Sequence, residues 1–146
     1  MISHFRGTHN WLSNFYPVKI HIDGWEFASA EHAFQALKSF DSGHRMKCST
    51  VYGLSASEVK KLGRTCKLRS DWETTKLGVM TTVLRDKFKR NKSLSQKLLD
   101  TGYQDIIEGN YWNDTYWGVD LNTGQGENHL GQIIMQIRGE LQNENY

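Results

Sequence analysis

The sequence contains little proline and cysteine, and it has no long run of any one kind of residue. Among its 146 residues are one proline and two cysteines, Cys48 and Cys66. Two such cysteines provide neither the spacing of a metal site nor a disulfide framework, so we expect free thiols in a reducing compartment. No stretch approaches the ~20 apolar residues of a membrane span, and Met1–Arg6 lacks the apolar segment of a signal peptide. We therefore expect a cytoplasmic protein without membrane contact.

The chain also has no marked excess of charge of either sign. The chain has 18 basic and 16 acidic residues, a net charge of +2, and no feature that by itself requires a nucleic acid or a membrane. The basic cluster Lys87–Lys92 is predicted to be the solvated end of a helix, where cations are favourable; phosphate binding is the alternative. The six histidines are scattered and form no His-x-x-x-His pattern, so no metal is expected.

The order of turn and periodicity signals predicts a mainly α (α+β) chain with a small N-terminal β-hairpin. Asp23-Gly24 between two alternating segments predicts that hairpin. Ser29 is the expected N-cap of a helix from Ala30 to about Phe40, and Asp41–Gly43 is expected to be a turn. Ser55, in a capping box with Glu58, is the expected N-cap of a helix that ends at Gly63. The longest predicted helix runs from Trp72 to about Arg90, with Leu77, Met80, Leu84 and Phe88 on its inward face. Ser93 is the expected N-cap of a helix from Leu94 to Asp100, and a last helix from about Glu127 to Asn143 is predicted to have Leu130, Ile133, Ile134 and Ile137 on its inward face.

Two stretches remain outside these helices in the C-terminal half. Ile106–Glu108 is interpreted as a short strand. Residues 109–128 are rich in Gly, Asn, Asp, Trp and Tyr and are expected to form a functional loop. No repeat, low-complexity tract or linker interrupts the chain, so residues 1–146 are expected to form a single domain.

The segment from Ser29 to Lys38 carries the clearest functional pattern. Ala30, Phe34 and Leu37 form an apolar stripe, whereas Glu31, Gln35 and Lys38 form a polar stripe beside it. On a continuous helix Glu31 and Lys38 would be separated by about 10 Å along the axis, which leaves room for a ligand. A buried lysine has a lowered pKa and can attack a carbonyl or imine carbon, with a glutamate as general acid or base. The alternative is that both are solvated surface charges.

Two further constellations are compatible with a ligand. Asn113–Gly118 and Gly124–Gly131 combine glycines, which allow close backbone approach, with the start of a helix, which attracts anions. The alternative for these glycines is a tight turn. Trp11–Pro17 places three aromatic residues around a Ser-Asn pair, which suits either stacking on a flat ring or packing of the N-terminal segment. His32 is predicted to be structural.

Taken together, four blocks in order resemble the NADAR family of YbiA-like proteins. They are Leu12–Phe15, the Glu-His-x-x-Gln-x-x-Lys helix within Ser29–Lys38, Trp72–Met80 with Lys87 and Phe88, and a C-terminal signature of Glu108, Asp114, Trp117, Gly118, Gly124, Gly126, Asn128, Leu130, Gly131, Met135 and Arg138. The resemblance spans about residues 11–141. Asp120 and the insertion Leu121–Thr123 depart from the family pattern.

The resemblance implies an N-glycosidase that cleaves the bond between a ribose anomeric carbon and a nitrogen. It implies one of two substrate classes, ADP-ribose attached to a guanine base or phosphorylated ribosylamino-pyrimidine intermediates of riboflavin synthesis. We favour the first class, in which the modified guanine is either free or part of DNA or RNA. A non-catalytic module that binds ADP-ribose or another nucleotide, and a protein whose aromatic residues form only core, are alternatives from other classes. No cofactor is implied, and the oligomeric state is not indicated.

The resemblance also implies roles for individual residues. Lys38 would capture the anomeric carbon as a Schiff base, Glu31 would transfer protons, and Asp114 would hold sugar hydroxyls or orient Lys38. Trp72, Trp117 and Phe15 would stack on the base, and Arg64 with the 124–128 turn would hold phosphate. The substrate-binding residues expected on this basis are Asn14, Phe15, Gln35, Arg64, Trp72, Glu108, Trp117, Gly118, Gly126 and Asn128.

Overall fold

A computed structural model describes residues 1–144. The chain forms two compact units, residues 14–90 and residues 1–13 with 91–144, which are described in turn. The first unit contains β1 (Ile20–Ile22), β2 (Trp25–Phe27), α1 (Ala30–Ala36), α2 (Ser42–Cys48), α3 (Ala56–Leu62) and α4 (Trp72–Arg90). The second contains a 3-10 helix (Gly7–Leu12), α5 (Lys92–Asp100), β3 (Gly109–Asn110), β4 (Val119–Asp120) and α6 (His129–Glu144). The mainly helical α+β fold class is confirmed.

The N-terminal hairpin is confirmed in its pairing and in its turn. β1 and β2 are antiparallel, with Ile22 opposite Trp25. Asp23 and Gly24 both have positive φ, 53° and 81°. Such a two-residue turn matches the right-handed twist of the paired strands, which explains why Asp-Gly stands at this position.

Helix α1 begins as expected but ends earlier than the sequence indicated. The Ser29 hydroxyl accepts a hydrogen bond from the His32 amide, which confirms the N-cap. The helix ends at Ala36 rather than near Phe40, because other groups bind the carbonyls at its C-terminus. His44 Nε2 binds the carbonyl oxygen of Gln35, as shown by a 2.8 Å contact. The Arg69 amide donates to the Lys38 carbonyl over 2.8 Å, which favours a turn over another helical hydrogen bond.

The predicted turn at Asp41–Gly43 is wrong, since these residues begin α2. The Asp41 carboxylate accepts hydrogen bonds from the amides of Gly43 and His44, and so acts as an N-cap. Asp, Ser and Gly are common in turns and at helix starts, because both use a short side chain that binds a nearby amide.

Helix α3 follows its sequence signals closely. The Ser55 hydroxyl accepts from the Glu58 amide, and the Glu58 carboxylate accepts from the Ser55 amide, which is the predicted capping box. The helix ends at Leu62, and Gly63 follows as its C-cap.

Helix α4 has the predicted bounds but a different buried face. Met80, Leu84 and Phe88 are buried as expected, whereas Leu77 is 39% exposed. Lys87 is 0% exposed, so the prediction that it belongs to a solvated helix end is wrong. Lys87 lies three and four residues after Leu84 and Val83, and this spacing places it on the buried side of the helix.

In the second unit, two short elements differ from the sequence prediction. Asn91, not Ser93, occupies the N-cap position of α5, and its carbonyl accepts from the Leu94 and Ser95 amides. The predicted strand at Ile106–Glu108 is reduced to one parallel bridge between Ile2 and Ile106. The regular pairing occurs just after it, between β3 and β4, which run parallel.

Helix α6 confirms the last predicted element within one or two residues at each end. Its inward face includes the predicted residues Leu130, Ile133, Ile134 and Ile137, all at most 7% exposed. None of the helices within residues 1–144 is long and apolar enough to cross a membrane.

Candidate active site

The candidate site in the first unit is built on α1, and His32 attaches this helix to its surroundings. His32 is buried, with Nδ1 2.6 Å from the Ser29 hydroxyl and Nε2 2.7 Å from the Leu54 carbonyl oxygen. Both ring nitrogens are therefore engaged in joining the helix start to the segment before α3. His32 has the structural position expected from the sequence.

Glu31 and Gln35 form a buried pair one helical turn apart. Their exposed fractions are 7% and 5%, and Gln35 Nε2 donates to Glu31 Oε1 over 2.8 Å. The Glu31 amide donates to the backbone oxygen of Asn14 over 2.9 Å, which attaches the 14–15 segment to the start of α1. The i,i+4 spacing of a helix is the reason that these side chains meet.

Lys38 lies beyond the end of α1 rather than on it. Its Nζ is 5.8 Å from the centre of the Phe34 ring, and its side chain is half-buried. Burial lowers the pKa of Lys38, the nearby Glu31 carboxylate and then Cys66 raise it, and Arg64 and Lys60 lower it further. The Glu31 carboxylate thus lies within electrostatic reach of the Lys38 amine, although the polar stripe does not continue as one helix.

Two cations and an exposed aromatic ring accompany Lys38. Arg64 and Lys60 are close enough to affect its pKa, and both are exposed. Lys60 Nζ lies 5.8 Å from the centre of the Phe15 ring, which is 41% exposed. Positive charge and an aromatic face next to an amine suit an anionic ligand with a flat ring.

Trp72 and Asn14 take more buried positions in the same unit. The Trp72 ring meets Phe34 edge to face at 5.1 Å between centroids and is 6% exposed. The Asn14 side-chain amide donates to Met80 Sδ over 3.7 Å, and its oxygen is a buried atom without a hydrogen-bond partner in the described chain.

The other predicted site residues form a hydrogen-bonded loop in the second unit. Asp114 Oδ1 accepts from the Tyr116 and Trp117 amides over 3.2 and 2.9 Å. The buried Asn110 side chain donates to Glu108 Oε2 and to the Asp114 carbonyl. The carboxylate of Asp114 therefore shapes the turn that carries Trp117.

Asn128 and the two predicted glycines hold this loop closed. Asn128 Oδ1 accepts from the Glu108 amide, and its Nδ2 donates to the Ile106 carbonyl. Gly118 has no room for a side chain because Glu108 lies against it, and Gly126, with φ 154°, lies against the Gly118 carbonyl. These residues have clear structural contacts, and their predicted roles in substrate binding stay predictions.

Two residues near Lys38 were not indicated as site residues by the sequence. They are Lys60, on α3, and Cys66, just after it. Lys60 and Arg64 are four residues apart, a spacing that brings side chains to the same side of a helix, and this was the available signal. Among residues 1–144 no group of three or more His, Cys, Asp or Glu side chains is arranged to hold a metal ion.

Comparison with known proteins agrees with this fold. The NADAR domain model matches residues 3–142. The chain is 36% identical over 130 residues to N-glycosidase YbiA of Escherichia coli (strain K12), covering 89% of this chain and 80% of that protein. The NMR structure of E. coli YbiA matches with a TM-score of 0.86 and 34% identity, covering 99% of this chain and 87% of that one.

Another relative is considerably longer than this chain. The chain is 36% identical over 137 residues to "Riboflavin biosynthesis protein VVA0006" of Vibrio vulnificus (strain YJ016), which covers 92% of this chain. It spans 36% of the length of that protein.

The family model and the N-glycosidase names of relatives of similar length place the chain among enzymes of the N-glycosyl hydrolase class. The chain belongs to the NADAR family.

Proposed function

We propose that the chain hydrolyses the N-ribosidic bond of an ADP-ribosylated guanine base, with Lys38 as nucleophile and Glu31 as the proton-transfer group. The observation that carries this proposal is the half-buried Lys38 amine, whose pKa is lowered by burial, within electrostatic reach of the buried Glu31 carboxylate. An amine attacks only in its free form, and a lowered pKa increases the free fraction near neutral pH.

Lys38 and Glu31 together supply the protons and the nucleophile that the reaction needs. Lys38 Nζ forms a bond to the anomeric carbon, while the bond from that carbon to the base nitrogen and the bond to the ring oxygen break. The leaving nitrogen and the ring oxygen need one proton each, and Lys38 and Glu31 each supply one. Water then adds to the anomeric carbon of the protonated Schiff base, the amine is released, and Glu31 regains a proton.

The charge of the first unit favours a substrate with phosphates. Lys60 and Arg64 stand near Lys38. A groove of about 610 Å³ also lies between β1 and the end of α4, lined by His21, Ile22, Thr82, Arg85, Asp86, Lys89 and Arg90. Three of these residues are permanent cations and one is an acid. Along α4 the groove begins roughly 15–20 Å from Trp72, a distance compatible with a guanine that is part of DNA or RNA.

A second candidate substrate is a phosphorylated ribosylamino-pyrimidine. It is favoured by the name of the Vibrio relative, a riboflavin biosynthesis protein. The cations near Lys38 also suit a phosphorylated substrate. A non-catalytic module that binds ADP-ribose would need the aromatic and glycine-rich loops but neither Lys38 nor Glu31.

The test compares both substrate classes, with ADP-ribosyl guanine supplied free and within an oligonucleotide. Wild-type protein and Lys38→Ala are incubated with each substrate, with and without borohydride, and Lys61→Ala serves as an exposed-lysine control. We expect release of guanine and a borohydride-trapped sugar adduct with wild type and Lys61→Ala, and neither with Lys38→Ala.

Other outcomes decide between the alternatives. Full turnover by Lys38→Ala contradicts the covalent role of the amine. Faster cleavage of the ribosylamino-pyrimidine replaces the proposed substrate by the second one. Tight ADP-ribose binding without cleavage of any substrate identifies a binding module. An Arg85→Ala effect on KM that is confined to the oligonucleotide supports the groove as a contact for the nucleic-acid backbone.

A further inference from the structure

Gly63 stands at a position where the backbone does not require glycine. Its φ and ψ are −63° and −19°, which is the right-handed helical region at the end of α3. Residues with side chains adopt these angles readily, and alanine is preferred to glycine in helical conformations by about 1 kcal/mol. The glycine therefore needs another explanation.

The explanation lies in the side chain that packs against it. A Cβ atom at position 63 would overlap Gln35 Oε1 and would lie 2.8 Å from Gln35 Cδ. Gln35 cannot simply move aside, because it is 5% exposed and its Nε2 donates to Glu31 Oε1. The absence of a side chain at Gly63 is thus what makes room for the Gln35 amide.

The contact between Gly63 and Gln35 also explains the environment of the Gln35 side-chain oxygen. Gln35 Oε1 is buried and has no hydrogen-bond partner among the residues that the structure describes. It rests against Gly63, whose Cα–H groups are weak donors. If the amide turned over, its oxygen would face the Glu31 carboxylate and two acceptors would meet. Gly63 on one side and Glu31 on the other therefore favour one orientation of this amide.

We propose that Gly63 is a positioning residue of the active site, which allows α3 to pack on Gln35 and so fixes the Glu31 carboxylate beside Lys38. The proposal rests on the proposed function, in which Glu31 and Lys38 act on the sugar. It adds a residue of α3 that acts through Gln35 and touches no substrate. Side chains held in place by such packing keep reacting groups within the narrow range of geometry that catalysis needs.

The test is the variant Gly63→Ala, with Gly78→Ala as matched control. Gly78 is also helical, in α4, but a Cβ there meets no atom within 4 Å. We expect Gly63→Ala to lower kcat by about 100-fold with a smaller change in KM, since displacement of a reacting group by roughly 1 Å has an effect of that size. Gly78→Ala should retain wild-type kinetics.

A second measurement needs no substrate. The Glu31 carboxylate raises the pKa of Lys38, so displacement of Glu31 in Gly63→Ala should shift that pKa, measured by NMR on protein with isotopically methylated lysines. If wild type cleaves no N-riboside, the proposed function fails, but this titration still decides whether Gly63 positions Glu31. An unchanged kcat or an unchanged Lys38 titration in Gly63→Ala overturns the proposal.

A double variant separates positioning from folding. In Gln35→Ala the methyl group at position 63 has room, so Gly63→Ala should add little further loss in that background. Should Gly63→Ala alone fail to fold, folding is expected to return in Gln35→Ala/Gly63→Ala. Independent, multiplying effects of the two substitutions, or a double variant that still fails to fold, would show that the contact with Gln35 is not the reason for glycine.

Discussion

The Nζ atom of Lys38 lies 5.8 Å from the centre of the Phe34 ring. This contact places the amine above an apolar layer that continues through Phe34 to the buried Trp72. The ring face attracts a cation, but removal from water disfavours the charged form. Burial is the larger influence, and it lowers the pKa of Lys38 despite the Glu31 carboxylate nearby.

The titration of Lys38 is therefore predicted to depend on Glu31 in a defined direction. The Lys38 pKa should lie below the ordinary value of 10.5. Replacing Glu31 by Gln removes the carboxylate that raises this pKa, so Glu31→Gln should lower it further. NMR of isotopically methylated lysines measures both values, and the exposed Lys61 provides the reference. A higher Lys38 pKa in Glu31→Gln would contradict the arrangement of charges described above.

Lys87 is predicted to make stability depend on pH above neutrality. Burial lowers its pKa from 10.5 to about 7 in the folded protein. Between these values the unfolded chain binds the additional proton, so stability rises with pH in this interval, by up to about 1.4 kcal/mol per pH unit. Below about pH 7 the contribution is constant and unfavourable.

The test of this prediction compares wild type with Lys87→Met, which keeps the length of the side chain without its charge. Urea unfolding at pH 7, 8 and 9 should show wild type gaining stability relative to the variant as pH increases. Parallel stability curves would mean that Lys87 keeps its proton in the folded state throughout this range.

The two cysteines are predicted to differ in reactivity. Cys48 is 0% exposed, and burial raises its pKa to about 12. Cys66 is only partly buried, and although burial raises its pKa, Lys38 acts in the opposite direction. Since the thiolate is the reactive form, an alkylating reagent should modify Cys66 first. Mass spectrometry of timed samples measures the order, and Cys66→Ser should abolish the fast phase. Native Cys48 reacting as fast as in urea would be inconsistent with its burial.

Asp114 allows the structural and chemical roles of one side chain to be separated. Its Oδ1 accepts from the Tyr116 and Trp117 amides. Asp114→Asn keeps an oxygen for these bonds but removes the charge, whereas Asp114→Ala removes both. If the charge acts on the sugar, both variants should lose about 10²-fold or more in kcat, a loss typical of catalytic carboxyl groups, while only Asp114→Ala loses stability, by roughly 1 kcal/mol. Wild-type kcat in a folded Asp114→Asn would limit Asp114 to shaping the turn.

Features decided by neighbouring residues were predictable from the sequence. The Asp23-Gly24 turn, the Ser29 cap and the Ser55–Glu58 capping box depend on contacts within three residues. The Glu31–Gln35 pair follows from helical spacing alone. Each of these patterns has one main structural solution, so the sequence specified it without information from elsewhere in the fold.

Features decided by distant residues were not predictable. Helix α1 stops at Ala36 because His44 and Arg69 bind groups at its end, and nothing in the segment 30–40 indicates this. The prediction of the buried face of α4 was wrong at two positions. Leu77 is more apolar than Lys87, yet the packing of the helix exposes Leu77 and buries Lys87. The cations near Lys38 come from α3 and the turn after it, more than twenty residues away along the sequence, where charged residues are typical of an ordinary helix surface.

The tight turn after β4 offers a practical site for modification. Asp120 and Gln125 pair across it, and the Gly124 amide donates to the Asp120 carbonyl over 2.7 Å, so the turn is closed at its base. Residues 122–124 at its tip are exposed. Chain inserted after Thr123 would extend from an anchored stem, so this position should accept a short epitope tag without loss of the folded loop.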